Sequence, residues 1–328
     1  MTPLMQVRGL TRSFGGRGSL VGRALAAVGL APPARPVRAV DGVSFDLLRG
    51  EVLGVVGESG CGKSTLGRLV AGLLTPTSGQ IVQGEKAAST RGIGALDRQM
   101  IFQDPFSSLN PRQRVTDLIG EAPRVHRIVP GPEVAAYVAA LMERCGIDPS
   151  YGPRFPHQFS GGQRQRIGIA RALAVKPELL VCDEAVSALD VSIQAQVVNL
   201  FMDLRAELGL TYLFISHDLG VVQHVSDRVI VMYLGRIVEL GAAADLFARP
   251  NHPYTRALIE GVPRLDRRRM AYAPIAGDIP SPLDPPPGCH FHPRCPLAFA
   301  RCRTEAPALR EVAPGRLSAC HLNDRTEA

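Results

Sequence analysis

The sequence contains no tryptophan, and aromatic residues make up only 5% of its 328 positions. Proteins that bind single-stranded nucleic acid stack bases on aromatic side chains, so this composition supplies few such platforms. The sequence also has no apolar run near the roughly 18 residues that a membrane span requires. Its start, MTPLMQVRGL, is interrupted by Pro, Gln and Arg before an apolar stretch develops, unlike a secretory signal peptide. We therefore expect a protein that is made and kept in the cytoplasm.

Cysteine is sparse as well, at seven residues, yet four of the seven fall among the last forty positions. Thiols stay reduced in the cytoplasm, so we do not expect a disulfide framework. The four cysteines are separated by five, six and seventeen residues, and none of these gaps is the tight knuckle usual for structural zinc. Four thiolates can hold an iron–sulfur cluster or a zinc ion, and the spacing alone does not exclude zinc. The cysteines concerned are Cys289, Cys295, Cys302 and Cys320.

Acidic residues are missing from the first forty positions, which carry six arginines, while the whole chain has a formal charge of +7. Such a basic segment could contact nucleic acid, anionic lipid or an acidic ligand, or it could be a solvated arm. Within it, SLVGRALAAVGL spaces its apolar residues as a short amphipathic helix would. A helix that touches lipid head groups or membrane subunits and a solvated insertion are both compatible with this pattern.

Short apolar runs rich in β-branched residues alternate with helical patterns along most of the chain. The runs VLGVVG (52–57), LLVCDE (179–184) and TYLFISHD (211–218) are typical of buried strands. Buried strands that alternate with helices predict an α/β fold around a mostly parallel sheet. The interval 104–160 has little strand character and suits a mainly helical insertion.

A change of composition marks a boundary near residue 262, where Pro, Arg and Cys become dense, as in PSPLDPPPG. We therefore predict a main domain over residues 1–262, with a helical subdomain over about 104–175. A small Cys-rich extension over residues 263–328 would follow it.

The clearest motif is GESGCGKST (57–65), which fits the phosphate-binding pattern G-x-x-x-x-G-K-[ST] and lies between a predicted strand and a predicted helix. Its glycines let backbone N–H groups turn toward phosphate, and the start of the helix favours negative charge. Lys63 is expected to reach the β and γ phosphates, and Ser64 to offer its hydroxyl to Mg²⁺. The expected nucleotide contacts are Gly57, Glu58, Ser59, Gly60, Cys61, Gly62, Lys63, Ser64 and Thr65.

A phosphate-binding loop requires a carboxylate at the end of another strand to hold the metal ion. LLVCDE supplies Asp183 for Mg²⁺ and places Glu184 beside it. At the end of the strand, the second carboxylate can turn toward the γ-phosphate. We therefore expect Glu184 to orient or deprotonate the attacking water, rather than to be a solvated acid at a strand end.

A third group of residues indicates the family. FSGGQRQR, which begins at Phe159, is similar to the signature of the ATP-binding cassette (ABC) ATPases, where leucine is commoner at the first position. The order of the other motifs resembles the same family: Gln103 in IFQDPFSSLNPR looks like the Q-loop glutamine, SALD (187–190) the D-loop, and His217 in ISHD the switch histidine. The similarity covers about residues 4–260.

The resemblance implies a P-loop NTPase fold of ABC type, with a mostly parallel core sheet, an antiparallel β subdomain and a helical signature subdomain. It implies an ATP hydrolase whose cassettes pair head to tail, so that the signature of one chain contacts the ATP bound by the other. Catalytic residues would be Glu184, His217 and Gln103, and Gln103 would bind Mg²⁺ together with Ser64 and Asp183. Phe14 would be the aromatic residue that stacks on adenine. The signature contacts would be Ser160, Gly161, Gly162 and Gln163.

Four further stretches resemble the ATP-binding subunits of oligopeptide and dipeptide importers: the N-terminal insertion, VCDEAVSALDVSIQAQVVNL, ARPNHPYTRALIEGVPRLD and PSPLDPPPGCHFHPRC. Relatives that serve nickel or glutathione uptake resemble them too. The likeness implies two transmembrane permease subunits, a second and paralogous ABC ATPase, and an extracytoplasmic substrate-binding protein. It also places the chain on the cytoplasmic face of the cell membrane as a peripheral subunit.

In these importers the C-terminal cysteine pattern is associated with an iron–sulfur cluster, so the resemblance implies a 4Fe–4S cluster at the four cysteines, with zinc as the alternative. One position departs from the family pattern, because Ala185 stands where proline usually follows the acidic pair. That change removes no ligand and no catalytic group.

A non-transport ABC ATPase that acts on DNA or ribosomes is the alternative from another class, and the basic N-terminus would suit nucleic acid. Such proteins usually carry two cassettes on one chain, or long coiled-coil or zinc-hook insertions. This sequence has one cassette and no heptad run. We therefore expect a transporter subunit with no specific nucleic acid partner.

Overall fold

The computed structural model describes residues 3–15, 36–83, 96–104, 108–261, 275 and 277–324. The amphipathic pattern of the N-terminal insertion lies outside these residues. The described strands are β1 Pro3–Phe14, β2 Val37–Leu48, β3 Val52–Val56, β4 Ser78–Gln83, β5 Arg98–Ile101, β6 Leu179–Asp183, β7 Thr211–Ile215, β8 Arg228–Tyr233, β9 Arg236–Ala242, β10 Arg310–Ala313 and β11 Arg316–Ser318.

The described α-helices are α1 Lys63–Val70, α2 Val115–Val125, α3 Val134–Arg144, α4 Gly161–Leu173, α5 Val191–Leu208, α6 Leu219–Val225, α7 Ala243–Ala248, α8 Pro253–Glu260 and α9 Ala300–Thr304. Short 3₁₀ turns connect several of them, including one at His292–Arg294 that belongs to the cysteine-containing segment. Within the described part of the chain, no helix has the length and apolar character to cross a bilayer.

Two sheets organise the described residues. A three-stranded antiparallel sheet has the order β2-β1-β4, and an eight-stranded sheet has the order β10-β11-β9-β8-β3-β7-β6-β5. In the larger sheet, β8, β3, β7, β6 and β5 are parallel to one another, whereas β9, β11 and β10 continue it with antiparallel pairs. The carboxyl ends of the parallel strands therefore meet at one edge, where ligands bind in folds of this kind.

The central strands are apolar along their whole length because both faces of the sheet are covered. Along β3, Val52 and Val56 join one buried cluster with the side chains of α4 and α5, whereas Leu53 and Val55 join a second cluster with the three-stranded sheet and α1. Packing is close enough to require a small residue, since a Cβ on Gly67 of α1 would lie 2.6 Å from Cδ1 of Ile215.

The helical insertion predicted between β5 and β6 is occupied by α2, α3 and α4, whose buried faces pack together through residues such as Ile119, Val138 and Ile167. The α/β fold with a mostly parallel core sheet, an antiparallel subdomain and a helical signature region is thus confirmed. The subdomain boundaries at about 104 and 175 stay predictions.

The C-terminal segment contributes a hairpin to the core sheet. Strand β11 pairs with β9, with Leu317 opposite Leu240 and Ser318 opposite Glu239. Glu239 is fully buried, and its carboxylate accepts hydrogen bonds from Arg316 at 2.7 Å and from the backbone N–H of His252 at 2.9 Å. This hairpin therefore continues the core architecture, and the boundary near residue 262 stays a prediction.

Candidate nucleotide-binding site

The loop after β3 has a backbone that only glycine can supply at two positions. Gly57 has φ 151°, and a Cβ there would collide with the Met232 carbonyl. Gly62 has φ 107°, and a Cβ there would collide with the Ala39 carbonyl. The loop is therefore seated against the start of β2 and the end of β8, with its backbone turned into the site and α1 beginning at Lys63.

Lys63 is almost fully buried, with 5% of its surface exposed. Its ammonium donates hydrogen bonds to the carbonyls of Gly57 at 2.8 Å and Glu58 at 3.0 Å. The lysine thus bridges the loop on which phosphates would bind, and it places a positive charge at the start of α1. A fixed charge beside loop N–H groups is the arrangement that recognises a polyphosphate.

Two of the three predicted magnesium ligands, Ser64 and Asp183, meet at the base of the loop. Ser64 donates a hydrogen bond from its hydroxyl to Asp183 Oδ1 at 2.8 Å. Burial raises the pKa of the Asp183 carboxyl, and the hydrogen bond from Ser64 offsets part of that rise. A hydroxyl next to a buried carboxylate fits Mg²⁺, which prefers oxygen ligands, and a divalent charge would offset the cost of burying the carboxylate.

One carboxylate oxygen of Glu184 contacts both of the other predicted catalytic residues. Gln103 donates from Nε2 to Glu184 Oε2 at 2.9 Å, and His217 Nδ1 lies 3.3 Å from the same oxygen. Gln103 follows β5, Glu184 follows β6 and His217 follows β7. Three neighbouring parallel strands therefore bring these side chains to one point, as their predicted roles require.

The signature residues form the start of α4. Ser160 caps this helix, since its hydroxyl accepts from the Gln163 N–H at 3.3 Å while the Gln163 side chain accepts from the Ser160 N–H at 3.0 Å. A Cβ on Gly162 would collide with the Ile193 side chain, so the turn lies against α5 just beyond SALD. Ser160 and Gln163 are exposed, which leaves this helix start accessible to another molecule.

Comparisons with known proteins agree with this geometry. Residues 40–187 match the family model described as ABC transporter, and residues 238–302 match the one described as oligopeptide/dipeptide transporter, C-terminal region. The oligopeptide transport ATP-binding protein AppF of Bacillus subtilis is 52% identical over 295 residues, which cover 87% of this chain and 90% of AppF. The chain belongs to the ABC transporter ATPase family.

Other members of the ABC family support the same assignment. A putative peptide import ATP-binding protein of Brucella ovis, BOV_A0347, is 48% identical over 325 residues, or 97% of this chain and 98% of its own. The structure of cbiO1 from Clostridium perfringens, part of the ABC transporter complex cbiONQ, has a TM-score of 0.61 at 27% identity over 76% of this chain and 92% of cbiO1. The ADP- and phosphate-bound dimer of the cassette MJ0796 shares the fold, with a TM-score of 0.58 at 22% identity over 73% of this chain and 98% of that one.

The adenine contact predicted for Phe14 lies at the edge of the described part of the chain. Phe14 ends β1 and is 39% exposed, and the Arg12 guanidinium lies 4.8 Å from its ring centroid. The residues that follow Gly15 lie outside the described part of the chain. Stacking of adenine on Phe14 stays a prediction.

Two residues that sequence reasoning did not single out contact the phosphate loop of the ABC site at Glu58. The Tyr254 hydroxyl accepts a hydrogen bond from the Glu58 N–H at 2.8 Å. Arg294 donates from its two terminal nitrogens to the Glu58 carboxylate at 2.7 and 2.9 Å. These bonds to Glu58 raise the pKa of Arg294 above its usual range. The sequence carried no signal for either contact, because a buried arginine and a surface arginine look alike in a Pro-rich segment.

The four C-terminal cysteines are neighbours in space. The Cys289 N–H donates to the Cys302 carbonyl at 2.9 Å, which closes the loop between them. Burial raises the pKa of the Cys289 thiol to about 11, and the proximity of Cys302, Cys320 and Cys295 contributes to the rise. Burial likewise raises the thiol pKa of Cys295 and of Cys320, each of which is also influenced by Cys302.

A metal centre at these cysteines is not supported by the side-chain arrangement itself. Among the described residues, no three His, Cys, Asp or Glu side chains converge into a group that could hold a metal ion. The donor set of four thiols fits a thiolate-bound cluster or zinc in its chemistry only. The remaining cysteines, Cys61, Cys145 and Cys182, are buried in the apolar clusters of the main domain.

Proposed function

We propose that this chain is the ATP-hydrolysing subunit of a membrane transporter that imports peptides of the dipeptide or oligopeptide class. The observation that carries the ATPase assignment is the convergence of Gln103, Glu184 and His217 beside the phosphate loop. The peptide class rests on the match of residues 238–302 and on relatives named for oligopeptide or peptide import.

In this proposal the triphosphate of ATP binds to the loop over residues 57–65, with the Lys63 ammonium at the β and γ phosphates. Ser64, Asp183 and Gln103 would hold Mg²⁺. When bound, the ion would neutralise part of the charge of the phosphates. The buried Asp183 carboxylate then has a cation beside it.

Glu184 acts on the attacking water. Gln103 and His217 both contact Oε2, so we assign the water to Oε1, the oxygen on which neither contact falls. The water oxygen forms a bond to the γ-phosphorus, the bond from that phosphorus to the bridging oxygen of ADP breaks, and the water proton passes to Glu184. His217 is positioned to donate a hydrogen bond to the γ-phosphate once the nucleotide is bound.

A second cassette completes the site. The start of α4, where Ser160 and Gln163 are exposed, presents backbone N–H groups and a hydroxyl to the γ-phosphate bound by a partner chain. We propose a paralogous ATPase as that partner, together with two transmembrane permease subunits and an extracytoplasmic binding protein. The chain would then be peripheral on the cytoplasmic face of the membrane.

A polar groove along α2 is the surface we assign to the permease. It has a volume of about 440 Å³ and is lined largely by charged side chains of α2 and the loop before it, namely Arg112, Arg114, Asp117, Glu121 and Arg124. Gln103 lies on the same connection between β5 and α2, so movement at this surface can reach Glu184 through a single side chain.

The four C-terminal cysteines are proposed to hold a 4Fe–4S cluster, with zinc as the alternative. The support for either group is the chemistry of the donor set, four thiols within residues 289–320, three of which lie close enough to Cys289 to influence its pKa. A bound cluster or zinc ion would serve as a structural clip in this segment, and no step of ATP hydrolysis depends on it.

Peptide uptake into vesicles tests the function. The chain would be co-expressed with its membrane subunits and partner ATPase, reconstituted with internal ATP, and supplied with its binding protein and labelled dipeptides to pentapeptides. We expect uptake that requires ATP and is lost with Glu184→Gln in this subunit. ATP-dependent uptake of nickel or glutathione without peptide would overturn the peptide assignment but keep the ATPase. Peptide uptake that does not require nucleotide would overturn the ATPase assignment.

A further inference from the structure

Glu58 is the point at which the C-terminal segment reaches the phosphate loop. Its N–H donates to the Tyr254 hydroxyl, its carbonyl accepts from Lys63, and its carboxylate accepts two hydrogen bonds from Arg294. The loop residue is thus held by three side chains from three different parts of the chain. Arg294 is separated from it by 236 residues in sequence.

Arg294 is itself rigidly placed. Its side chain is only 4% exposed, and its guanidinium also contacts the Tyr233 hydroxyl at 3.4 Å. It ends the 3₁₀ turn His292–Arg294, which is closed by a hydrogen bond from the Arg294 N–H to the Phe291 carbonyl at 3.0 Å. Phe291, the residue just before that turn, is buried against Tyr233 and Tyr254. Its ring centroid lies 5.4 Å from that of Tyr233 and 5.3 Å from that of Tyr254.

The charge of Glu58 is unfavourable for a site that binds an anion. A carboxylate in the loop would repel a nearby polyphosphate, and a poorly hydrated one would do so more strongly than an exposed one. Arg294 cancels this charge through a bidentate pair, the strongest geometry between a guanidinium and a carboxylate. The pair is largely removed from water, so removal of Arg294 alone leaves an uncompensated charge.

We propose that Arg294 is a positioning residue for the nucleotide: it neutralises and orients Glu58, so that affinity for MgATP depends on the turn His292–Arg294. Arg294 need not touch the substrate, and it acts through Glu58. This inference rests on the proposed ATPase function. It extends the nucleotide site into the C-terminal segment, which the phosphate-loop motif does not include.

Nucleotide titration of the full-length chain tests the proposal. The dissociation constant of a fluorescent ATP analogue would be measured with Mg²⁺ for the wild type, Arg294→Met, Arg294→Lys and the double variant Glu58→Gln/Arg294→Met. We expect Arg294→Met to raise the dissociation constant at least about tenfold, because an uncompensated carboxylate is then left in the loop that binds the phosphates. Arg294→Lys should restore much of the affinity, since it restores the positive charge.

The double variant separates a charge effect from a packing effect. Neutral glutamine beside methionine leaves no charge to repel phosphate, so its affinity should return to within about threefold of the wild type, as a coupled pair predicts. Arg301→Met is the matched control, because Arg301 also lies beside a cysteine and pairs with Glu305 and Asp324 away from the loop. Its affinity should stay within about twofold of the wild type.

Each outcome decides the proposal. If Arg294→Met binds as tightly as the wild type, Arg294 has no positioning role. If the double variant binds as weakly as Arg294→Met, the contact serves docking of the segment only, and the proposal is overturned. In the assembled transporter, the supporting result is a KM for ATP that rises more than kcat falls. A wild-type chain that binds no MgATP would overturn the proposed function together with this inference. If the wild type binds MgATP, a negative result with the variants overturns only the role of Arg294.

Discussion

Glu184 has a strained backbone, and one oxygen of its side chain contacts both Gln103 and His217. Its φ is 50°, a left-handed conformation that costs a non-glycine residue about 1–2 kcal/mol. The conformation is held because the Glu184 N–H donates to the Ile215 carbonyl at 2.9 Å and its own carbonyl accepts from the Ser187 hydroxyl at 2.9 Å. Strain of this kind persists where the surroundings fix it, as they do at many active sites.

The sequence singled out these residues as candidates but did not indicate how they meet. The acidic pair at the end of an apolar run was readable as a metal ligand and a base. That Gln103 and His217 contact the same oxygen of Glu184 follows from the order of β5, β6 and β7 in the sheet. Strand order depends on long-range pairing, which no local pattern encodes.

His252 supplies a pH-dependent contribution to stability. It is 1% exposed, its Nδ1 accepts from the Tyr254 N–H at 3.1 Å, and its own N–H donates to Glu239. Burial lowers the pKa of His252 to about 4, although the nearby Glu239 charge and the hydrogen bond to the Ala319 backbone act in the opposite direction. The imidazole is therefore neutral in the folded chain at neutral pH.

The sign of the effect follows from that lowered pKa. Below the unfolded value near 6.5 the unfolded chain binds a proton that the folded chain does not, so stability falls as pH drops from about 6.5 to 4, by up to about 3 kcal/mol. Denaturant unfolding at pH 7 and pH 4.5 should show a smaller loss for His252→Asn, whose amide can still cap α8, than for the wild type. Equal losses in the two proteins would contradict this role.

At the scale of elements, the cysteine-containing segment is tied to the core at two places. Strand β11 extends the sheet at β9, and the turn His292–Arg294 abuts the phosphate loop. A composition change near residue 262 suggested a separate unit. The sequence could not indicate this docking, because strands of three and four residues are too short to show an alternating pattern.

The metal content of this segment is directly measurable. Protein purified without oxygen should contain iron and sulfide near four per chain if a cubane cluster is bound, or zinc near one per chain if the clip is zinc. Cys302→Ser should lose the metal and lower the unfolding temperature. Cys145→Ser, which changes a buried cysteine of the main domain, should keep the metal.

Absence of both metals from anaerobically purified protein, with an unchanged unfolding temperature for Cys302→Ser, would contradict both forms of the clip. Zinc alone would contradict the cluster and retain the clip. These readouts do not depend on ATP hydrolysis, so they are independent of the nucleotide site.

At the scale of the whole molecule, we propose that the ATP site is one half of a composite site. The phosphate loop, Asp183 and Glu184 lie at the carboxyl edge of the parallel strands, while the signature turn is exposed at the start of α4. Motif order led us to expect this arrangement, since each motif has a fixed place in the ABC fold. It could not predict the contribution of Tyr254 and Arg294, which complete the back of the loop from the far end of the chain.

In this account Glu184 drives the hydrolysis of a nucleotide that Lys63 helps to bind. The most direct test measures MgATP binding and hydrolysis by the assembled transporter with Glu184→Gln or Lys63→Ala in this subunit. Glu184→Gln should retain nucleotide and hydrolyse it about 10²- to 10⁴-fold more slowly at this site, because the base is lost. Lys63→Ala should instead bind MgATP more weakly, since a charge-assisted hydrogen bond contributes about 1.5–3 kcal/mol. Near-normal turnover at this site with Glu184→Gln would contradict the assignment of the base.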